Sequence, residues 1–251
     1  VPELSIWADA HGTRGDFGVF RSAAELRGFL RDQPGYTDGV ISVSSGAQLL
    51  AVLDSLRGVE RVGHLVLCGH GGTTWWLDDQ HGVTTRAVRH RDQVSVRALA
   101  ESLACVLTED PLISLAACMC SRSPTSFLRA RLGANIGSDW GRRAYTPGGQ
   151  ASFSARLRDA LWYPYGIRAR VRGHRAAGHA TALALLAEHR WPAGEPCEPL
   201  YMRALDDVPP TRSNRRWWVE TVTGLLAQRW LMGDDCVEVE IRDKYLADHP
   251  R

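Results

Sequence analysis

The stretch HLVLCGHGGTTWW, residues 64–76, decides the reading of the fold. An apolar run without a polar face stops abruptly at a histidine set among glycines. Strands in the middle of a parallel sheet have this character, because helices cover the sheet and leave neither face wet. A second run of the same kind, PLISLAACMCSR over residues 111–122, stops as sharply at cysteines. Working outward, LSIWAD (4–9) and GVISVSS (39–45) read as strands, and residues 22–32 as a helix opened by Ser22 with Glu25 three positions on. Helical spacing predicts further helices over 47–58, closed by Gly58, and over 94–107.

Strands thus alternate with helices, the signature of a doubly wound α/β fold. TTWWLDDQHGV (73–83) reads as a hairpin set off the main sheet, residues 123–133 and 150–162 as helices, and GIRARVRGH (166–174) as a fifth strand. Prolines and glycines over 191–199 mark a long surface loop, and residues 217–231 have helical spacing. We expect one domain over 1–251, with its core at about 4–174 and the remainder, 175–251, packed on it.

Composition narrows the classes. Hydrophobic residues make up 44% of the 251 and charged residues 23%, ordinary values for a globular protein. The 30 basic and 28 acidic residues nearly cancel, so no nucleic-acid surface is expected, although every basic residue except Lys244 is an arginine. That arginine excess suggests a GC-rich, bacterial source. No apolar run approaches the ~18 to 20 residues that span a bilayer, and no signal-peptide pattern opens the chain, so the expected location is cytoplasmic. Because the chain starts at Val1, it reads as a piece from which a leader or a partner domain could have been lost.

The six cysteines form neither a disulfide framework nor a zinc ribbon. Cys68 and Cys105 read as small buried hydrophobes. Cys118 and Cys120 differ, because they stand where a strand ends. A C-x-C pair could hold a metal or act in redox chemistry, but a second ligand pair is missing, and neither metal nor cofactor is expected. His174 and His179 read as surface or capping residues. Asn214 to Glu220, NRRWWVE, reads as a helix start with core tryptophans rather than a base-stacking platform.

In an open parallel sheet, ligands bind beyond the carboxyl ends of the strands. His70 and Cys118 both stand at such ends. A thiol and an imidazole are the minimal set for nucleophilic acyl transfer: the thiolate attacks a carbonyl and the imidazole takes up and returns the proton. The glycines suit this chemistry, since a backbone N–H at Gly71 or Gly72 can approach an oxyanion with no Cβ in the way. The bland alternative for His70 is a loop histidine held by hydrogen bonds.

HLVLCGHGG followed by ISLAAC, with about 50 residues from the histidine to the cysteine, resembles the caspase-like cysteine peptidases of clan CD, among them caspases, metacaspases and bacterial CHAT peptidases. The resemblance covers roughly residues 4–174 by element order. It implies a caspase-like three-layer sandwich: a mainly parallel central sheet with helices on both faces. It further implies Cys118 as the nucleophile, His70 as the general base, and an oxyanion hole from the N–H groups of Gly71 and Cys118. Arg14, Trp75, Ala116 and Cys120 are the candidate pocket residues. Ala116 stands where metacaspases carry an acidic residue for a basic P1 side chain, and Cys120 leaves a second sulfur in contention.

The function expected is that of a cysteine endopeptidase acting on a protein or peptide through an acyl-enzyme, in bacterial defence or regulated cell death, with a regulatory partner protein. Two rivals stand beside it. One is a caspase-like binding or scaffold module that keeps the pair without using it. The other is a small-molecule thioester or amide hydrolase.

Overall fold

Leu65, Val66, Leu67 and Cys68 are all fully buried, so consecutive side chains, which point to opposite faces of a strand, meet protein on both sides. The computed structural model that contains them describes residues 3–8, 40–59, 61–77, 80–117, 119–122, 152–175, 186–193, 211 and 246–247. The strand is β3 (Val62–Cys68), and it lies inside a six-stranded sheet. The other members are β1 (Glu3–Ala8), β2 (Val40–Val43), β8 (Leu107–Ala116), β9 (Arg170–His174) and β10 (Leu186–His189), in the order β10-β9-β8-β3-β1-β2. All neighbours are parallel except the antiparallel edge pair β9 and β10.

Three described helices connect these strands. α1 (Gly46–Ser55) links β2 to β3, α2 (Val96–Ala104) links β3 to β8, and α3 (Phe153–Tyr165) links β8 to β9. Each step moves the same way across the sheet, and right-handed crossovers then put all three helices on one face. They pack accordingly, α2 between α1 and α3. The helix expected over residues 22–32, the one over 123–133 and the one over 217–231 lie outside the described residues. The protein is therefore α/β, with a mostly parallel central sheet flanked by helices.

Each helix starts on a serine whose hydroxyl accepts the N–H three residues on: Ser45 from Gln48, Ser95 from Ala98 and Ser152 from Ala155. Serine N-capping corrects one boundary, because Val94 and Ser95 form the short strand β7 and the helix read over 94–107 begins only at Val96. Gly166, with φ 66°, ends α3 in the left-handed conformation that favours glycine. β8 is longer than expected, starting at Leu107, with Pro111 inside it.

A second, four-stranded sheet lies off the main one, as expected for the hairpin region. It consists of β4 (Gly71–Gly72), β5 (Trp75–Trp76), β6 (Val83–Thr84) and β7 (Val94–Ser95). One core unites these parts. Leu49 and Leu53 of α1, Leu99 and Leu103 of α2, and Phe153, Leu157 and Leu161 of α3 pack with Leu65, Leu67, Ile113 and Leu115 of the sheet. The sheet also runs past residue 174, since β10 adds a sixth strand. No described helix is long and apolar enough to cross a membrane.

Candidate active site

β3 and β8 are direct neighbours, and their register pairs Cys68 with Ala116. The two chains thus reach the carboxyl edge of the sheet at the same level, and the Gly69 N–H extends the ladder to the Ala116 carbonyl at 3.2 Å. Gly69 has φ 151°, a backbone conformation that side chains rarely allow, and this lets the chain turn off the strand at once into His70. His70 is half-buried there.

The remaining glycines enter the off-sheet hairpin, with Gly71 opposite Trp76 and Gly72 opposite Trp75. A Cβ on Gly72 would come within 2.6 Å of the Trp75 indole nitrogen. The space at Gly72 therefore seats the Trp75 ring. Gly71 is buried beside it. The hairpin is tied back by the Leu77 N–H, which donates to the His70 carbonyl at 2.8 Å.

On the β8 side, Ala116 and Ala117 are fully buried. Cys118 and Arg14 lie outside the described residues. After Cys118 in the chain, the Arg122 N–H closes a turn onto the Met119 carbonyl at 3.0 Å. Cys120 is fully buried, and its thiol donates to the Trp75 carbonyl at 3.9 Å. It is a core residue, tied to the histidine's own hairpin. Trp75 is half-buried and Trp76 fully buried, so of the two rings only Trp75 meets solvent.

Among the described residues, two that are not glycine have positive φ: Leu77 at 79° and Met119 at 53°. Left-handed backbone costs a side-chain-bearing residue on the order of 1–3 kcal/mol and persists only where the surroundings impose it. One of these residues bonds the His70 carbonyl, and the other directly follows Cys118 in the chain. Such strain gathers at functional sites.

The first turn of α3 holds both segments. The Phe153 N–H donates to Thr73 in the hairpin and the Ser154 N–H to Cys120, each at 2.9 Å. The Ser154 hydroxyl also reaches the Cys120 carbonyl at 3.0 Å and lies 2.7 Å from the Ser121 hydroxyl. Gly173 of β9 has no side chain because a Cβ there would meet the Ser121 oxygen at 2.7 Å.

Behind the turn lies a buried polar layer that the sequence reading did not find. Arg122, Arg158, Arg172, His174, Arg175, Glu188 and His189 are all buried. Glu188 accepts from Arg172 at 2.7 Å and from Arg170 at 2.9 Å. Burial is the largest influence and works against its carboxylate, but the two hydrogen bonds and the charges of the same two arginines together outweigh it and hold the pKa below the ordinary value. Burial, with the Arg175 charge beside it, lowers the pKa of Arg122. His189 is pushed down to about 3, first by burial and then by Arg158 and Arg175, and is neutral.

Two readings need correction here. His174 is not a surface residue: it ends β9, is 4% exposed, and its carbonyl accepts the Ser121 N–H at 2.9 Å. His179 lies outside the described residues. Cys68 is buried as expected, but Cys105, the C-cap of α2, is exposed.

Ser121, Ser154 and His189 carried no signal as site residues in the sequence. Only the "SFSAR" start of α3 could have suggested that a helix N-terminus approaches the strand ends. No protein-family model matches the chain, and neither a curated protein nor a solved structure does.

Proposed function

We propose that the chain is a caspase-like cysteine endopeptidase with Cys118 as nucleophile and His70 as general base. The observation that carries the reading is the shared edge of β3 and β8. Cys68 and Ala116 are register partners, and each candidate follows its strand by two residues in the chain. The strained residues Leu77 and Met119, each joined to one of the two segments, support it. So does the full burial of Cys120, whose thiol is held by the Trp75 carbonyl.

In this reaction the Cys118 sulfur bonds to the scissile carbonyl carbon while His70 takes the thiol proton. The N–H groups of Gly71 and Cys118 receive the oxyanion. The C–N bond then breaks, and His70 returns the proton to the leaving amine. Water attacks the resulting thioester, His70 removes a proton from it, and the thiol is released with the acid product. The peptide lies along the carboxyl edge of the sheet, with the Trp75 ring as one wall.

The test is covalent labelling. A peptidyl chloromethyl ketone and iodoacetamide should modify Cys118 far faster than a free thiol, and His70→Ala should remove the advantage. Labelling at Cys118 no faster than at the exposed Cys105, and unaffected by His70→Ala, would favour the scaffold reading. Fast labelling with turnover of simple thioesters but of no peptide library would favour the small-molecule hydrolase.

A further inference from the structure

Over residues 80–100 the chain carries four arginines, Arg86, Arg89, Arg91 and Arg97, against one carboxylate, Asp92. The whole chain has a formal charge of only +2, so this excess is local. The first three stand on the loop that joins β6 to β7 and the fourth on the first turn of α2, and all four are exposed. Among the described residues, none of their side chains has an ion-pair partner. Arg57 and Arg168, equally exposed, each hold an aspartate at 2.9 Å.

Like charges on one short loop repel each other, yet the backbone of this loop is tied down. The Arg86 N–H donates to the Thr84 hydroxyl at 3.1 Å, the Arg89 N–H to the side-chain oxygen of the buried Gln93 at 2.9 Å, and the Gln93 N–H to the His90 carbonyl at 3.2 Å. The Asp92 carbonyl accepts the Ala47 N–H of α1 at 3.2 Å. The guanidiniums are thus displayed from a fixed frame, and a partner has only side chains to order.

Val88, 47% exposed, stands among them, two residues from Arg86 and next to Arg89. Cations around an exposed apolar group match a polypeptide that offers carboxylates and apolar side chains together. A nucleic-acid backbone would use the cations but not the valine, and no phenylalanine, tyrosine or tryptophan occurs in residues 80–100 to stack on a base. The loop also begins at the candidate site: Thr84 is the register partner of Trp75, and the Thr85 N–H donates to the Thr74 carbonyl at 2.8 Å.

We propose that the loop between β6 and β7 docks an acidic stretch of another protein, with the four arginines receiving its carboxylates and Val88 an apolar side chain between them. Docking goes beyond the peptidase reading and fails separately from it, because it is measured without turnover and without the thiol. Where both hold, the loop is an exosite that leads an acidic stretch of substrate onto the Trp75 wall.

The experiment titrates the full chain into a fluorescein-labelled peptide of alternating glutamate and leucine and follows anisotropy at low and physiological salt. The same peptide with glutamine for glutamate, and an oligothymidylate, are the comparison probes. The variants are Arg86→Glu/Arg89→Glu/Arg91→Glu, Val88→Ser, and Arg57→Glu/Arg156→Glu/Arg190→Glu, which reverses three exposed arginines outside the loop with the same change in net charge. An exposed ion pair is worth a factor of roughly 1.5 to 5 in binding, so the loop triple should weaken the acidic peptide by about tenfold or more and the outside triple by less than about threefold. Val88→Ser should cost about threefold, and salt should weaken wild-type binding. Should the loop triple not fold, Arg86→Gln/Arg89→Gln/Arg91→Gln takes its place with the same direction of effect.

Equal weakening by the two triples would reduce the effect to overall charge and overturn the site. So would a glutamine peptide bound as tightly as the glutamate one, no measurable binding of either, or an oligothymidylate bound more tightly than the acidic peptide.

Discussion

Ser154 donates twice to the Cys120 carbonyl, from its backbone N–H at 2.9 Å and from its hydroxyl at 3.0 Å. Its neighbour Phe153 donates to Thr73 in the hairpin that follows His70. One turn of one helix thus fixes both segments that leave the sheet at the candidate site. Ser154→Ala keeps the backbone bond but removes the hydroxyl from Cys120 and leaves the buried Ser121 oxygen short of a partner. We expect a loss of about 1–3 kcal/mol in denaturant unfolding. Alkylation of Cys118 should slow in parallel, and an unchanged rate would separate the turn from the thiol.

The two candidate sulfurs should separate cleanly. Cys118→Ala is expected to abolish labelling and cleavage while leaving the melting temperature near wild type. Cys120→Ala, at a fully buried site, should retain labelling at Cys118 and lose stability by about 1 kcal/mol, from lost packing and a lost weak hydrogen bond to Trp75. Peptide mapping of the labelled residue in each variant reads the outcome.

How much of this was legible in the sequence depends on the kind of signal. The β3 and β8 runs could be read because burial on both faces leaves an unbroken apolar string, and the helices by their spacing, although the start of α2 was read two residues before its Ser95-capped first residue, Val96. The buried layer around Arg172, Glu188 and His189 could not be read, since charged residues earn burial only through partners distant in sequence, here 16 positions apart for Arg172 and Glu188. Gly72 was read as room for an oxyanion, yet its space is taken by Trp75, a contact that strand pairing creates and composition cannot show.

Gly72→Ala tests that contact. The added carbon would lie 2.6 Å from the indole nitrogen, too close for any real pair, so the ring must move. Overpacking of this kind costs typically about 1–3 kcal/mol. The expected result is a stability loss in that range with a shifted tryptophan emission, and a variant as stable as wild type with unshifted emission would show that the ring has somewhere else to go.

Met119, with φ 53°, tolerates its backbone only as an unbranched residue can. Met119→Val should destabilise by more than about 1 kcal/mol, because a β-branched side chain in the left-handed region is more strained still. Met119→Gly should be close to neutral in stability, since relief of strain is offset by the greater freedom of the unfolded chain. Chemical denaturation of the pair gives the comparison, and equal stabilities for valine and glycine would contradict the left-handed turn.

Acid should destabilise the fold in two stages that can be separated. His189 has a folded pKa of about 3 against an unfolded value near 6.5, so the folded state refuses a proton that the unfolded state accepts. Stability is then unaffected above pH about 6.5, falls as pH drops through the interval down to about 3, and has a limiting slope of about 1.4 kcal/mol per pH unit. Glu188 also has a lowered folded pKa, so its contribution is fully present above the ordinary carboxylate value and is lost only as pH falls further, through its own folded pKa. Denaturant midpoints measured from pH 7 to pH 4 should therefore decline in the wild type from about pH 6.5 downward. In His189→Asn, which has no titrating ring, the decline should begin only near the carboxylate range. Superimposable wild-type and variant curves between pH 6.5 and 5 would mean that His189 accepts its proton in the folded state without penalty, contrary to its burial beside two guanidinium groups.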